Sequence, residues 1–94
     1  MSQPSSDRVN NMHLWFVYIL ECADGTLYTG MTNDLERRLD QHNAGTAARY
    51  TRARTPVKLV YQEKSENRST ALKREYAIKQ LTRKQKDQLI TGKT

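Results

Sequence analysis

Cysteine is almost absent from this chain: Cys22 is the only one in 94 residues. One thiol permits neither an intrachain disulfide nor a cysteine-rich zinc cluster, so a cytoplasmic protein is the expectation. Apolar residues are scarce too, at 36%. The longest apolar run, Leu14 to Leu20, is strand-sized and far below the ~20 residues that span a membrane. The N-terminus lacks the charged-then-apolar layout of a secretory signal. Acids are outnumbered, ten against sixteen lysines and arginines, which leaves a net charge of +6. That excess favours polyanionic partners, nucleic acid first and an anionic membrane surface second.

A chain of this length allows one domain, and it buries only about 60–65% of the surface that its unfolded form would expose. Residues 1–12 are rich in Ser, Asn and Gln and read as a disordered tail, leaving one domain over residues 13–92. Leu14 to Cys22 is rich in Trp, Phe, Val, Tyr and Ile, which suit a pleated surface. Apolar residues occupy both parities there, which predicts a central strand covered on both faces. Thr26 to Met31 is the return strand across Ala23-Asp24-Gly25.

Loop length decides where the strand tyrosines point. A two-residue loop puts Tyr18 and Tyr28 on opposite faces. A three-residue loop, with Gly25 in the left-handed region, pairs Tyr18 with Gly30 and Tyr28 with Leu20, so both phenols share a face. We read the three-residue loop, with Gly30 leaving open space beside Tyr18.

Thr32-Asn33-Asp34 offers caps for a helix on which Leu35, Arg38, Leu39 and His42 share one face, and Gly45 ends it. Residues 46–55 read as a loop carrying Arg49, Tyr50, Arg52 and Arg54. Pro56 opens a strand over Val57 to Gln62. Ser65 or Asn67 caps a helix over Arg68 to Leu81, and Thr82 caps another over Arg83 to Ile90. The order β-β-α-β-α-α gives a small α+β layered domain, a three-stranded sheet flanked by helices.

Glu75 is the most telling position. At 100° per residue it falls within the apolar stripe of its helix, between Ala71 and Ile78 on one side and Leu72 and Lys79 on the other. A carboxylate there is costly unless it is paired, hydrogen-bonded or metal-bound. Spacing leaves open an ion pair with Lys79, one with an arginine such as Arg38, or a metal. Arg38 and His42 fit either a solvated helix flank or a site beside the two tyrosines, where an arginine fork holds phosphate and an imidazole handles a proton. Tyr18 and Tyr28 themselves fit ordinary strand aromatics as well. Arg49, Tyr50, Arg52 and Arg54 suit phosphate contact and base stacking, or simply a solvated loop. The basic face of the last helices adds Lys79 to the nucleic-acid contacts.

Taken together these residues resemble the GIY-YIG nuclease superfamily. Phe16-Val17-Tyr18 stands where that family has Gly-Ile-Tyr, and Tyr28-Thr29-Gly30 where it has Tyr-Ile-Gly. Arg37-Arg38-Leu39, His42-Asn43 and Arg74-Glu75-Tyr76-Ala77 fit the same pattern, over about residues 14–82. The chain is most similar to the small stand-alone YhbQ-like bacterial members. It departs in Phe16 for the first glycine and in having no asparagine after Asn67.

The resemblance implies a three-stranded antiparallel sheet and hydrolysis of DNA phosphodiester bonds at one divalent ion, Mg²⁺ or Mn²⁺, with no small-molecule cofactor. By analogy Glu75 is the metal ligand, Tyr18 activates or positions the water with His42 assisting, Arg38 stabilises the developing charge, and Tyr28 bonds the phosphate or water network. The expectation is a monomeric endonuclease for DNA, with branched or damaged DNA among the candidate substrates and room for a protein partner. Two alternatives stand beside it: a nucleic-acid-binding module of nuclease descent, and a basic adaptor for another protein.

Overall fold

The computed structural model describes residues 14–92, and the expected tail over 1–12 lies outside the described residues. In chain order the elements are β1 (Trp15–Glu21), β2 (Leu27–Thr32), α1 (Leu35–Asn43), α2 (Arg49–Arg52), β3 (Lys58–Ser65), α3 (Arg68–Lys79) and α4 (Arg83–Thr91). The strands form one antiparallel sheet in the order β2-β1-β3, so β1 is central as its composition predicts.

The hairpin has the three-residue loop. Gly25 takes φ +86°, its N–H donates to the Cys22 carbonyl at 2.9 Å, and the Cys22 N–H donates to the Thr26 carbonyl at 2.8 Å. The resulting register pairs Tyr18 with Gly30 and Leu20 with Tyr28. Alternation along β1 then divides the core in two. Val17 and Ile19 pack with Ala71 and Ile78 of α3, and with Leu89 and Ile90 of α4. Tyr18, Leu20 and Cys22 pack on the other side with Val57, Tyr28, and Leu35 and Leu39 of α1. Cys22 is a buried, free thiol in that second layer.

Each main helix begins on a side-chain cap of the type its sequence offers. Asp34 accepts from the Arg37 N–H, Asn67 from the Thr70 N–H, and Thr82 forms a capping box with Gln85.

Three expectations change. Residues 46–55 are not wholly loop, since α2 occupies four of them. So short a helix has no period to read, and tertiary contacts hold it. Strand β3 runs on to Ser65, beyond Gln62. A bulge between Ile19 and Leu20 pairs those residues with Tyr61 and Leu59, leaving Val60 as the extra residue. Leu72 turns outward and is half-exposed, so the buried stripe of α3 is narrower than the helical wheel implies.

Candidate active site

The centre of the second layer is polar. His42 is 1% exposed and Tyr18 2% exposed. Buried polar groups require partners, and His42 has one on each nitrogen. Its Nε2 lies 2.8 Å from Tyr18 Oη, and its Nδ1 lies 2.8 Å from Oγ1 of Thr51, a fully buried residue on α2. The Tyr28 ring meets the imidazole edge-on, with centroids 5.1 Å apart. The two tyrosines thus share a face and converge on one histidine, so neither is a plain strand aromatic and His42 is no solvated flank.

Gly30 makes this possible. A Cβ added there would lie 2.5 Å from Tyr18 Oη and 2.7 Å from Cζ. The space expected beside Tyr18 is real, and the phenol itself fills it.

Arg38 of α1 is half-buried, and its guanidinium joins no ion pair among the described residues. Its charge is felt in the site. Burial first, and the Arg38 guanidinium second, push the His42 pKa down to about 4. Burial is also the largest cause holding the Tyr18 pKa well above the ordinary phenol value, followed by the neighbouring Tyr28; Arg38 opposes this and Glu75 adds to it. At neutral pH the site therefore holds a neutral imidazole against a protonated phenol, with a cation and a carboxylate in electrostatic range.

The Glu75 side chain is largely covered, 16% exposed, and its carboxylate pairs with Lys79 at 3.3 Å. Of the two ion pairs that spacing left open, the one with Lys79 is formed. Ion pairs of this kind contribute only about 0–1 kcal/mol, so the carboxylate is readily reassigned to another cation. Among the described residues no three His, Cys, Asp or Glu side chains cluster. A lone hard oxygen donor does not build a zinc cage. It does fit Mg²⁺ or Mn²⁺ holding most of their own waters, with phosphate oxygens as further ligands.

The basic segment around α2 divides. Arg49 and Arg52 are exposed and join no ion pair among the described residues. Arg54, expected to serve phosphate with them, is already engaged. Its Nε meets Asp24 at 3.0 Å, its NH1 donates to the Tyr50 carbonyl at 2.7 Å, and its guanidinium lies 3.9 Å over the Tyr50 ring. Asp24 comes from the β1–β2 hairpin, thirty residues away in sequence, so the absence of acids within the loop itself was no guide. Tyr50 in turn stacks on Tyr28, with centroids 6.0 Å apart and planes 24° apart. This stack continues the site outward to a partly exposed aromatic face.

Asn43 serves the frame. Its side chain donates to the Val57 carbonyl and accepts from the Val57 N–H, imitating a strand neighbour. The end of α1, which carries His42, is thereby tied to the entry of β3. Thr51 is the residue that sequence reasoning missed. A hydroxyl between Tyr50 and Arg52 has no pattern to mark it, and only the packing of α2 beneath α1 brings it to His42.

The fold and this site define a nuclease-type domain, and the comparisons agree. The family model of the GIY-YIG catalytic domain matches residues 14–88, and the chain belongs to that family. Its relatives include UPF0213 proteins, one from Desulfotalea psychrophila at 53% identity over 96% of this chain and 79% of the relative. Another, from Clostridium perfringens, is 60% identical over 84% of this chain and 85% of the relative. Among solved structures, the solution NMR structure of the UPF0213 protein from Bacillus halodurans shares 44% identity, with a TM-score of 0.54 and 83% of each chain covered. An Enterococcus (E. faecalis) protein solved by NMR shares 48%, with a TM-score of 0.58 and 84% of each chain covered. The chain is thus a small domain of the GIY-YIG nuclease superfamily, similar to UPF0213 proteins. Among its described residues no helix is long and apolar enough to cross a membrane.

Proposed function

We propose that this protein is a cytoplasmic, divalent-metal-dependent DNA endonuclease that hydrolyses phosphodiester bonds, with branched or damaged DNA among its candidate substrates. The observation that carries this reading is the buried Tyr18–His42 hydrogen bond, set among Tyr28, Arg38 and Glu75. A protonated phenol against a neutral imidazole is a satisfied buried pair, and beside a phosphate it is one that can pass a proton.

In the proposed reaction water attacks phosphorus in line with the leaving sugar oxygen. The Tyr18–His42 pair orients that water and takes its proton. Negative charge building on the phosphoryl oxygens favours the protonated imidazole that this produces. Arg38, whose guanidinium joins no ion pair among the described residues, would receive that charge through a bidentate pair. Tyr28 donates a hydrogen bond to a non-bridging oxygen. Glu75 would exchange Lys79 for the metal ion, which supplies Lewis-acid activation of the phosphate and stabilisation of the leaving oxygen when bound. Arg49, Arg52 and Lys79 would contact backbone phosphates, and Tyr50 would stack on a base. Arg54 would act indirectly, by bracing Tyr50.

One observation favours a second reading, a DNA-binding module with little cleavage: the Glu75 carboxylate already has a partner in Lys79. A cleavage assay separates the two. Plasmid, single-stranded, flap and junction DNAs are incubated with Mg²⁺ or Mn²⁺ and either the wild type or Glu75→Ala. Metal-dependent nicking that Glu75→Ala abolishes supports the nuclease. Binding without nicking by the wild type supports the module.

A further inference from the structure

We infer that Thr51 is a positioning residue: its hydroxyl accepts from Nδ1–H of His42 while Tyr18 donates to Nε2, and together the two partners hold the imidazole in the tautomer whose Nε2 can take the Tyr18 proton. The tautomer assignment stands on hydrogen-bond geometry alone; its catalytic consequence rests on the nuclease reading.

A neutral imidazole has one N–H and one bare nitrogen, and its neighbours decide which is which. Tyr18, His42 and Thr51 each bring one proton to this buried chain, and two arrangements are possible. In the first, Tyr18 donates to Nε2 and Nδ1–H donates to Thr51. The Thr51 hydroxyl then donates to the Ala48 carbonyl, 3.2 Å away. All three protons are bonded. In the second, Thr51 donates to Nδ1 and Nε2–H donates to the Tyr18 oxygen. The Tyr18 proton then has no acceptor among the described residues, although the side chain is buried. The Ala48 carbonyl does not need Thr51, because it also accepts the Arg52 N–H at 3.1 Å. The choice therefore turns on Tyr18, whose proton has a protein acceptor only in the first arrangement and otherwise depends on whatever water reaches the phenol oxygen.

The first arrangement gives a directed relay. As water attacks phosphorus, its proton passes to the Tyr18 oxygen while the Tyr18 proton passes to Nε2. The imidazolium formed keeps Nδ1–H on Thr51, so the new charge is met by an oxygen already in place. Thr51 touches no substrate and acts through His42. Its own position is set because α2 is held by the Tyr50–Tyr28 stack on one side and by burial of Thr51 on the other.

The test uses the full chain, with Thr51→Val to remove the hydroxyl at similar volume and Thr51→Ser to restore it. Long-range ¹H–¹⁵N correlation of the His42 ring, without DNA or metal, should show Nδ1–H in the wild type and in both variants, with the Nδ1 proton of Thr51→Val moved upfield and exchanging faster because its acceptor is gone. On a DNA that the wild type cleaves, Thr51→Val should lower kcat by about 10- to 100-fold with KM little changed, by analogy with the loss when the outer partner of a metal-ligating histidine is removed. Thr51→Ser should recover most of it. A wild type with Nε2–H overturns the inference, even if Thr51→Val fails to fold. So does a folded Thr51→Val with wild-type kcat. A wild type that shows Nδ1–H but cuts no DNA supports the tautomer assignment and sinks the nuclease reading instead.

Discussion

Gly30→Ala changes one hydrogen to a methyl on a strand, and the structure makes it severe. Gly30 does not sit in the left-handed region, so alanine meets no backbone penalty. By propensity alone the change should stabilise by about 0.5–1 kcal/mol, since glycine is the more costly residue to order. Packing says otherwise. The new Cβ would lie 2.5 Å from Tyr18 Oη, 2.7 Å from Cζ and 3.2 Å from Cε1, against a comfortable separation of about 3.5–4.0 Å. The phenol has to retreat by about 1 Å, and its 2.8 Å hydrogen bond to His42 goes with it. Overpacking costs about 1–3 kcal/mol and an unsatisfied buried donor about 1–3 more. After the propensity gain the net loss is about 1–5 kcal/mol, which for a domain of this size lowers Tm by about 4 °C at the least and by about 20 °C or more at the upper end. Urea titration and calorimetry measure it. Tyr18→Val removes the ring that clashes while keeping a strand-forming residue, and in that background Gly30→Ala should be neutral or stabilising. If Gly30→Ala is neutral or stabilising with Tyr18 intact, the close contact that anchors the site geometry is wrong.

Three further outcomes follow from the same structure. The His42 pKa is about 4 in the fold against an ordinary 6.5, so between those values the unfolded chain takes a proton that the fold refuses, and stability falls as pH drops. Unfolding free energies from about pH 7.5 to about pH 4 should lose up to about 3 kcal/mol through this one group, and His42→Gln should flatten the dependence by that amount; an unchanged slope in the mutant would refute it. Glu75→Gln breaks the Lys79 pair, which is worth no more than about 1 kcal/mol, so its Tm should stay near that of the wild type while metal-dependent cleavage disappears, and retained cleavage in a purified mutant would remove Glu75 from the metal site. Replacing Arg49 or Arg52 by Ala should weaken DNA binding on all sequences alike and lower its salt slope by about one each, whereas an unchanged slope in the double mutant would place the DNA on another surface.

Much of the fold was legible because its signals are local. The Asp24-Gly25 turn set the hairpin, the hairpin set the register, and the register put Tyr18 opposite Gly30 and both tyrosines on one face. Caps at Asp34, Asn67 and Thr82 were readable for the same reason, since each acts within three residues of itself. What escaped the reading is what distance in sequence conceals. The bulge in β3 answers to the face that Val60 and Tyr61 find beneath the helices, not to anything in their own segment. Asp24 meets Arg54 across thirty residues. Helix α2 has no amphipathic period at all, and it exists because Tyr50 stacks outward while Thr51 is buried inward.

The candidate site inherits this division. Tyr18 and Tyr28 were placed by strand alternation, and Arg38 and His42 by helical spacing. The angle of α1 over the sheet, which brings His42 within 2.8 Å of Tyr18, is fixed by tertiary contacts such as Asn43 on Val57. On the proposed reading the chemistry therefore sits inside the core, and the charges offered to DNA sit outside it. Substitutions at Tyr18, Gly30, His42 or Thr51 should disturb folding and cleavage together, because each fills space and satisfies a polar group at once. Substitutions at Arg38, Arg49, Arg52 or Glu75 should separate the two, because these side chains are only partly buried or exposed and contribute little to packing. On that reading the buried hydrogen-bonded residues tolerate substitution far less well than the partly exposed charges around them.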